Sequence, residues 1–235
     1  MDGTLRQYGA FNENGVVRMP ESLSWEEGAV LPTAGLSAWN ALYGGKLLKA
    51  GDYVLTQGTG GVSMFALQFA KAAGAKVIAT TSSAEKAALL KWHGADHVIN
   101  YKEVENWGLE AKKLTPSAQG VDHVVEIGGP RTMAQSLKAI KIDGQISVVG
   151  WLGGNAENEP GFLECVNQLC TVRGLYVGSR LMFEDMVSHF DLFFQCNFSF
   201  PIRSLLNIAQ NRAVDANNIK PVVDPKTFKL EDLKE

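Results

Sequence analysis

The sequence predicts an α/β fold, a doubly wound parallel sheet with helices on both faces. Three observations carry this expectation. Short β-type runs alternate with helical patterns through the centre of the chain. Each gap between runs has room for a helix, so each connection reads as a right-handed crossover between parallel strands. The runs are apolar runs more than alternating ones, consistent with strands buried on both faces.

The elements follow in order. Residues 53–56 (YVLT) form the first strand. Val62, Ala66, Phe69 and Ala73 then recur every three to four residues and mark one face of a helix, which Gly74 closes. Residues 76–81 (KVIATT) form the second strand. Ser83 is placed to cap the next helix and Gly94 to stop it. Residues 97–100, 122–127 and 145–149 form the third to fifth strands, with a helix over 131–140 before the fifth. Residues 171–177 (TVRGLYV) form a sixth. No internal repeat or low-complexity tract interrupts the series.

Composition excludes several classes. The chain has 235 residues, a formal net charge of -3 and 46% apolar residues, enough to bury a core. No uninterrupted apolar run reaches the roughly 18 residues of a membrane span. The amino terminus is neither basic nor apolar, unlike a signal peptide. Lys and Arg do not cluster, which argues against nucleic acid as a partner. Three cysteines without a CxxC spacing point to free thiols in a reducing compartment, and so to the cytoplasm.

The chemistry centres on residues 54–74 (VLTQGTGGVSMFALQFAKAAG). The turn Gly58-Thr59-Gly60-Gly61 follows a strand and, with Val62, opens an amphipathic helix, the context that a dinucleotide-binding (Rossmann) loop requires. Gly58 permits the tight turn and Gly60 lets backbone approach a pyrophosphate. The helix amino terminus adds free N–H groups and partial positive charge. Ser63 stands where the fingerprint has its third glycine and is small enough for close strand–helix packing. The competing reading is a tight turn that binds nothing.

NAD binders place an acid on the ribose hydroxyls at the end of the second strand. Residues 79–83 (ATTSS) contain none. Ser82, Ser83 and Lys86 stand there instead and suit a 2′-phosphate, which favours NADP(H). Taken alone, Lys86 also fits a solvated helix residue.

Five segments carry a family resemblance: SWEEGAVLPTAGLSAWNAL (24–42), GDYVLTQGTGGVSMFALQFAKAAGAKVIATTSSAEK (51–86), GADHVINY (94–101), GVDHVVEIGG (120–129) and LYVGSR (175–180). In this order they resemble the medium-chain dehydrogenase/reductase superfamily, specifically its zinc-independent quinone-oxidoreductase-like and alcohol-dehydrogenase-like members. The resemblance implies hydride transfer between a nicotinamide and a small carbonyl, alcohol, quinone or enone. It implies that Lys86 and Tyr101 reach the adenosine 2′-phosphate and that Gly128 borders the adenosine ribose. Gly150, Trp151, Val177 and Gly178 would line the nicotinamide side. Each of these positions, taken singly, also fits a plain turn residue.

Thr33 occupies the position resembling a cysteine zinc ligand of the zinc-dependent relatives, and a threonine hydroxyl is a poor zinc ligand. The three cysteines and four histidines show no ligand spacing, so no catalytic zinc is expected. The resemblance places Thr33 against the nicotinamide carboxamide; its alternative role is a helix cap. A short-chain dehydrogenase would need a YxxxK pair, but Tyr101 and Tyr176 are followed at that offset by Glu105 and Arg180.

The chain also departs from the family pattern. Residues 1–22 are expected to be a remnant of the β-rich, GroES-like catalytic domain, ahead of a dinucleotide-binding domain over 23–186. Residues 187–210 interrupt the family's run, and residues 211–235 read as a truncated carboxyl-terminal segment. The interrupting segment opens on Val-Ser and ends on Gln, as an intron retained in frame would; the competing reading is an inserted helical segment. The expected function is an NADP(H)-dependent oxidoreductase acting on a small-molecule substrate. The alternative is a catalytically inactive nucleotide-binding fragment. No general acid or base is assigned, and family members suggest a homodimer through the edge of the sheet.

Overall fold

The computed structural model describes residues 4, 6–20, 22–191 and 220–223. Most of the interrupting segment at 187–210, and nearly all of 211–235, lie outside the described residues.

A short helix α1 (Trp25–Ala29) is opened by a capping box, with the Ser24 side chain accepting from the Glu27 amide and the Glu27 side chain accepting from the Ser24 amide. A π-helical turn (Leu31–Gly35) leads into α2 (Leu36–Tyr43). Then follow β1 (Tyr53–Gln57), α3 (Gly61–Ala72), β2 (Lys76–Thr81), α4 (Ala84–Trp92), β3 (His97–Asn100) and α5 (Trp107–Lys113). The chain continues through β4 (Val121–Glu126), α6 (Pro130–Ala139), β5 (Ile140–Val148), α7 (Glu164–Asn167), β6 (Thr171–Gly174) and α8 (Arg180–Asp191). The six strands form one sheet in the order β3-β2-β1-β4-β5-β6, and every pairing is parallel. This is the doubly wound sheet that the apolar runs imply, with its switch point between β1 and β4.

Neighbouring residues of one strand enter two different cores. Val54, Val77, Ala79 and Val125 join Trp39, Leu42, Phe65 and Phe69 on one face. Leu55, Ile78 and Val124 join Trp107, Ala111, Leu137 and Ile146 on the other. Both faces are dry, so the strands had to be apolar at successive positions.

Several boundaries move. Strand β5 begins at Ile140, where the sequence pattern continued the preceding helix, because buried Ile140 pairs with Val121 ahead of a register shift. Strand β6 ends at Gly174, three residues short of the expected Val177. Helix α5 has no strong sequence signal. Its Gly108 lies so close to α6 that a Cβ there would meet the Gln135 carbonyl oxygen at 2.1 Å, a contact visible only in three dimensions. Helix α8 continues through the boundary between Met186 and Val187, and both side chains are buried.

One buried group gives the fold a pH dependence. His123 on β4 is 1% exposed, and neither ring nitrogen has a hydrogen-bond partner among the described residues. Burial, reinforced by Lys46, holds its pKa down at about 4 against the pull of Asp52 at 3.5 Å and of Asp122. The folded value lies below the unfolded one, so the unfolded chain takes up the proton first. The stabilisation is therefore complete above pH 6.5 and drains away as pH falls towards 4. The loss should total about 3 kcal/mol. Denaturant titrations between neutral and acid pH should show this slope in the wild type and not in His123→Leu. Asp96 acts lower. Its burial would raise the carboxyl, but Lys71, the Val77 amide and Lys76 outweigh that and hold it at about 2, so its contribution fades only below pH 4.

Candidate cofactor site

Loops at the carboxyl ends of the strands build the site. After β1, Gly58 adopts a φ of +74°, a left-handed conformation that glycine reaches without strain. Its amide donates to the Thr80 carbonyl at 2.8 Å and so ties the loop to the end of β2. Gly60 then serves as the N-cap of α3, and no side chain caps that helix. The first-turn amides of Gly61, Val62 and Ser63 have no carbonyl partners within the helix.

The glycines have different physical roles. Among the described residues, a Cβ at Gly58 or Gly60 would meet no atom within 4 Å, so the loop is uncrowded at both positions. A Cβ at Gly61 would come within 3.1 Å of Ala34, so Gly61 lets the loop seat against the π-helical turn that carries Thr33. Ser63 is 1% exposed, and its hydroxyl donates to the Gln57 carbonyl at 2.5 Å. It therefore fits the third fingerprint position and adds a hydrogen bond that glycine lacks. Uncapped amides around an open cradle are the chemistry that a pyrophosphate takes.

The other expected site residues fall into groups. Ser82, Ser83 and Lys86 follow β2, and Tyr101 follows β3, the strand beside it. The Tyr101 amide donates to the Thr81 carbonyl at 3.0 Å, which brings these two strand ends together. Ser83 caps α4 by accepting from the Lys86 amide at 3.3 Å. Lys86 is exposed, and the nearest carboxylate in sequence, Glu85, lies in the first turn of α4. Thr33 is exposed on its turn, and neither that turn nor α2 has a side-chain cap, so the cap role does not hold.

Gly128 lies where packing already explains it, since a Cβ there would meet the Thr132 hydroxyl at 2.3 Å. Gly150 and Trp151 line an open cavity of about 580 Å³ with Leu175 and Tyr176. Val177 and Gly178 follow on the same loop beyond β6.

Sequence reasoning missed the polar bridge beneath the switch point. Gln57, the last residue of β1, accepts from the Ile127 and Gly128 amides at 2.9 and 3.1 Å. Its amide group donates to Glu126 at 2.7 Å and to Ser136 at 3.0 Å. Glu126, fully buried, also accepts from the Gly129 amide at 2.9 Å, from Thr132 at 2.5 Å and from Ser136. The carboxylate thus sits at the amino terminus of α6, where the helix dipole favours negative charge. The bridge locks the loop after β4 to the strand that launches the glycine loop. The only sequence signal was an amide ending β1 and an acid ending β4.

The parallel sheet, the switch point and the uncapped glycine loop define a Rossmann fold of the dehydrogenase type. Residues 61–191 match the family model described as zinc-binding dehydrogenase. The chain belongs to that family, within the medium-chain dehydrogenase/reductase superfamily.

Relatives agree with this assignment. A zinc-type alcohol dehydrogenase-like protein of Schizosaccharomyces pombe is 40% identical over the whole of this chain and 62% of its own length. The quinone oxidoreductase of Rattus norvegicus is 30% identical, with 65% of this chain and 46% of the relative aligned. The crystal structure of an NAD-dependent alcohol dehydrogenase superposes with a TM-score of 0.73 at 29% identity, covering 94% of this chain and 57% of that one. The chain therefore spans about half to three fifths of the proteins it matches. Among the described residues, no three His, Cys, Asp or Glu side chains stand together as a metal ligand set. No helix among them is long and apolar enough to cross a membrane.

Proposed function

We propose that this chain is the cofactor-binding part of an NADP(H)-dependent oxidoreductase that exchanges a hydride with a small carbonyl, alcohol, quinone or enone without zinc. One observation carries the reading. An uncapped glycine cradle after β1 lies beside a strand-end cluster of Ser82, Ser83, Lys86 and Tyr101 that holds hydroxyls and a cation where an NAD site would hold an acid. When bound, the nicotinamide supplies or accepts the hydride. The amides of Gly61 and Val62 would hold the pyrophosphate, with Thr59 on the loop beside them. Lys86 and the serine hydroxyls would hold the 2′-phosphate. Gly150, Trp151, Val177 and Gly178 would bound the nicotinamide. Support for a reaction without zinc is Thr33 in place of a thiolate ligand.

Two further features belong to the proposal. Among the described residues strand β6 is an edge, with Val172 exposed, which suits pairing with a second copy. Unpaired Cys165 and Cys170 suit the reducing cytoplasm.

Cofactor titration tests the reading. Wild type should bind NADPH more tightly than NADH. Lys86→Ala should weaken NADPH by about tenfold, the worth of one charge-assisted contact, and leave NADH unchanged. A wild type that prefers NADH, or a variant with equal losses for both, refutes the 2′-phosphate assignment. Oxidation of NADPH on a panel of quinones, enones and aldehydes then reports the substrate class.

A further inference from the structure

The loop after β6 holds a strained residue under a buried clamp. Val177 has a φ of +56°. This left-handed region is costly for a β-branched side chain and persists only where the surroundings enforce it. The enforcing contact comes from α2. Asn40, 5% exposed, donates from Nδ2 to the Val177 carbonyl at 2.7 Å. Arg173 on β6 holds Asn40 in turn, one guanidinium nitrogen donating to Asn40 Oδ1 at 2.7 Å and the other to the Asn40 carbonyl at 3.2 Å. Gly44 makes room for this fork, since a Cβ there would meet Asn40 Oδ1 at 1.9 Å. The next loop residue, Gly178, packs against Leu36, which a Cβ would meet at 2.9 Å. An amide donor that a guanidinium holds in place, and a close glycine contact, thus meet at one peptide group.

We infer that Asn40 and Arg173 are positioning residues that fix the Val177 peptide for the nicotinamide half of the cofactor. This rests on the cofactor reading above. Without the Asn40 donor the strained peptide relaxes, and the ring loses its seat while the adenosine half keeps its own. Sequence reading could place Val177 near the ring but could not see the clamp, because its two members lie 133 positions apart.

The test uses Asn40→Asp. The aspartate still accepts from Arg173, now as an ion pair, but cannot donate to the Val177 carbonyl. Affinity is measured for NADPH and for 2′-phospho-ADP-ribose, the same molecule without its ring. N40D should bind NADPH about tenfold more weakly and 2′-phospho-ADP-ribose as wild type does. Glycine adopts the left-handed conformation freely, so in a Val177→Gly background N40D should cost about threefold or less. If N40D binds NADPH like wild type, loses both ligands alike, or costs as much beside glycine, the clamp is not a positioning device. If wild type binds neither ligand, the cofactor reading fails and takes this inference with it; the first three outcomes leave that reading standing.

Discussion

Glu126→Gln should lower stability by about 3 kcal/mol, or about 10 °C in melting temperature for a chain of this length. The reason is donor geometry. The Glu126 carboxylate accepts from Gln57, Gly129, Thr132 and Ser136 and donates to nothing. Glutamine offers one acceptor oxygen, and its NH₂ must face one pair of these donors. Ser136 can rotate its hydroxyl. Gln57 cannot turn its amide without giving up the Ile127 and Gly128 amides. A buried donor therefore stays unsatisfied, and the site is too enclosed to admit water cheaply. Because the bridge spans the switch point, cofactor affinity should fall along with the melting temperature. Calorimetry of E126Q checks the first effect, and a variant that melts within a degree or so of wild type contradicts the account.

The second large effect falls on binding and spares the fold. Gly60→Val should abolish measurable cofactor binding, a loss of about a hundredfold or more, while lowering the melting temperature by only the few degrees that a poorer N-cap costs. Gly60 has a φ of -73°, ordinary for any residue, and a Cβ there meets no protein atom within 4 Å. A side chain there would enter the space over the loop, where a pyrophosphate would approach on the reading proposed above. Gly61→Val should behave in the opposite order. A Cβ at Gly61 meets Ala34 at 3.1 Å, so the π-helical turn has to shift and stability falls first. Thermal melts and NADPH titrations of the two variants separate a ligand glycine from a packing glycine. Equal melting and equal binding in both would remove the distinction.

Much of the fold was legible because its signals are local. Strands β2 and β3 begin and end where the apolar runs do, and Ser83 caps α4 as its position suggested. The glycine turn was legible for the same reason, since a φ of +74° at Gly58 is a demand that one residue meets alone. The resemblance supplied the rest of the site list, but it could not separate contact from packing. Gly128 now has a packing explanation in Thr132, and Gly61 has one in Ala34.

The sequence by itself therefore determined the doubly wound class, the order of strands along the chain and the place of the glycine turn, because alternation, apolar runs and glycine turns act over a few residues. Only the tertiary structure decided what holds that loop in place. The Gln57–Glu126 bridge joins residues 69 positions apart, and the Asn40–Arg173 clamp joins residues 133 positions apart. Hydrogen bonds of this kind depend on which strand ends the sheet brings together, and one chain read in order contains no trace of that pairing.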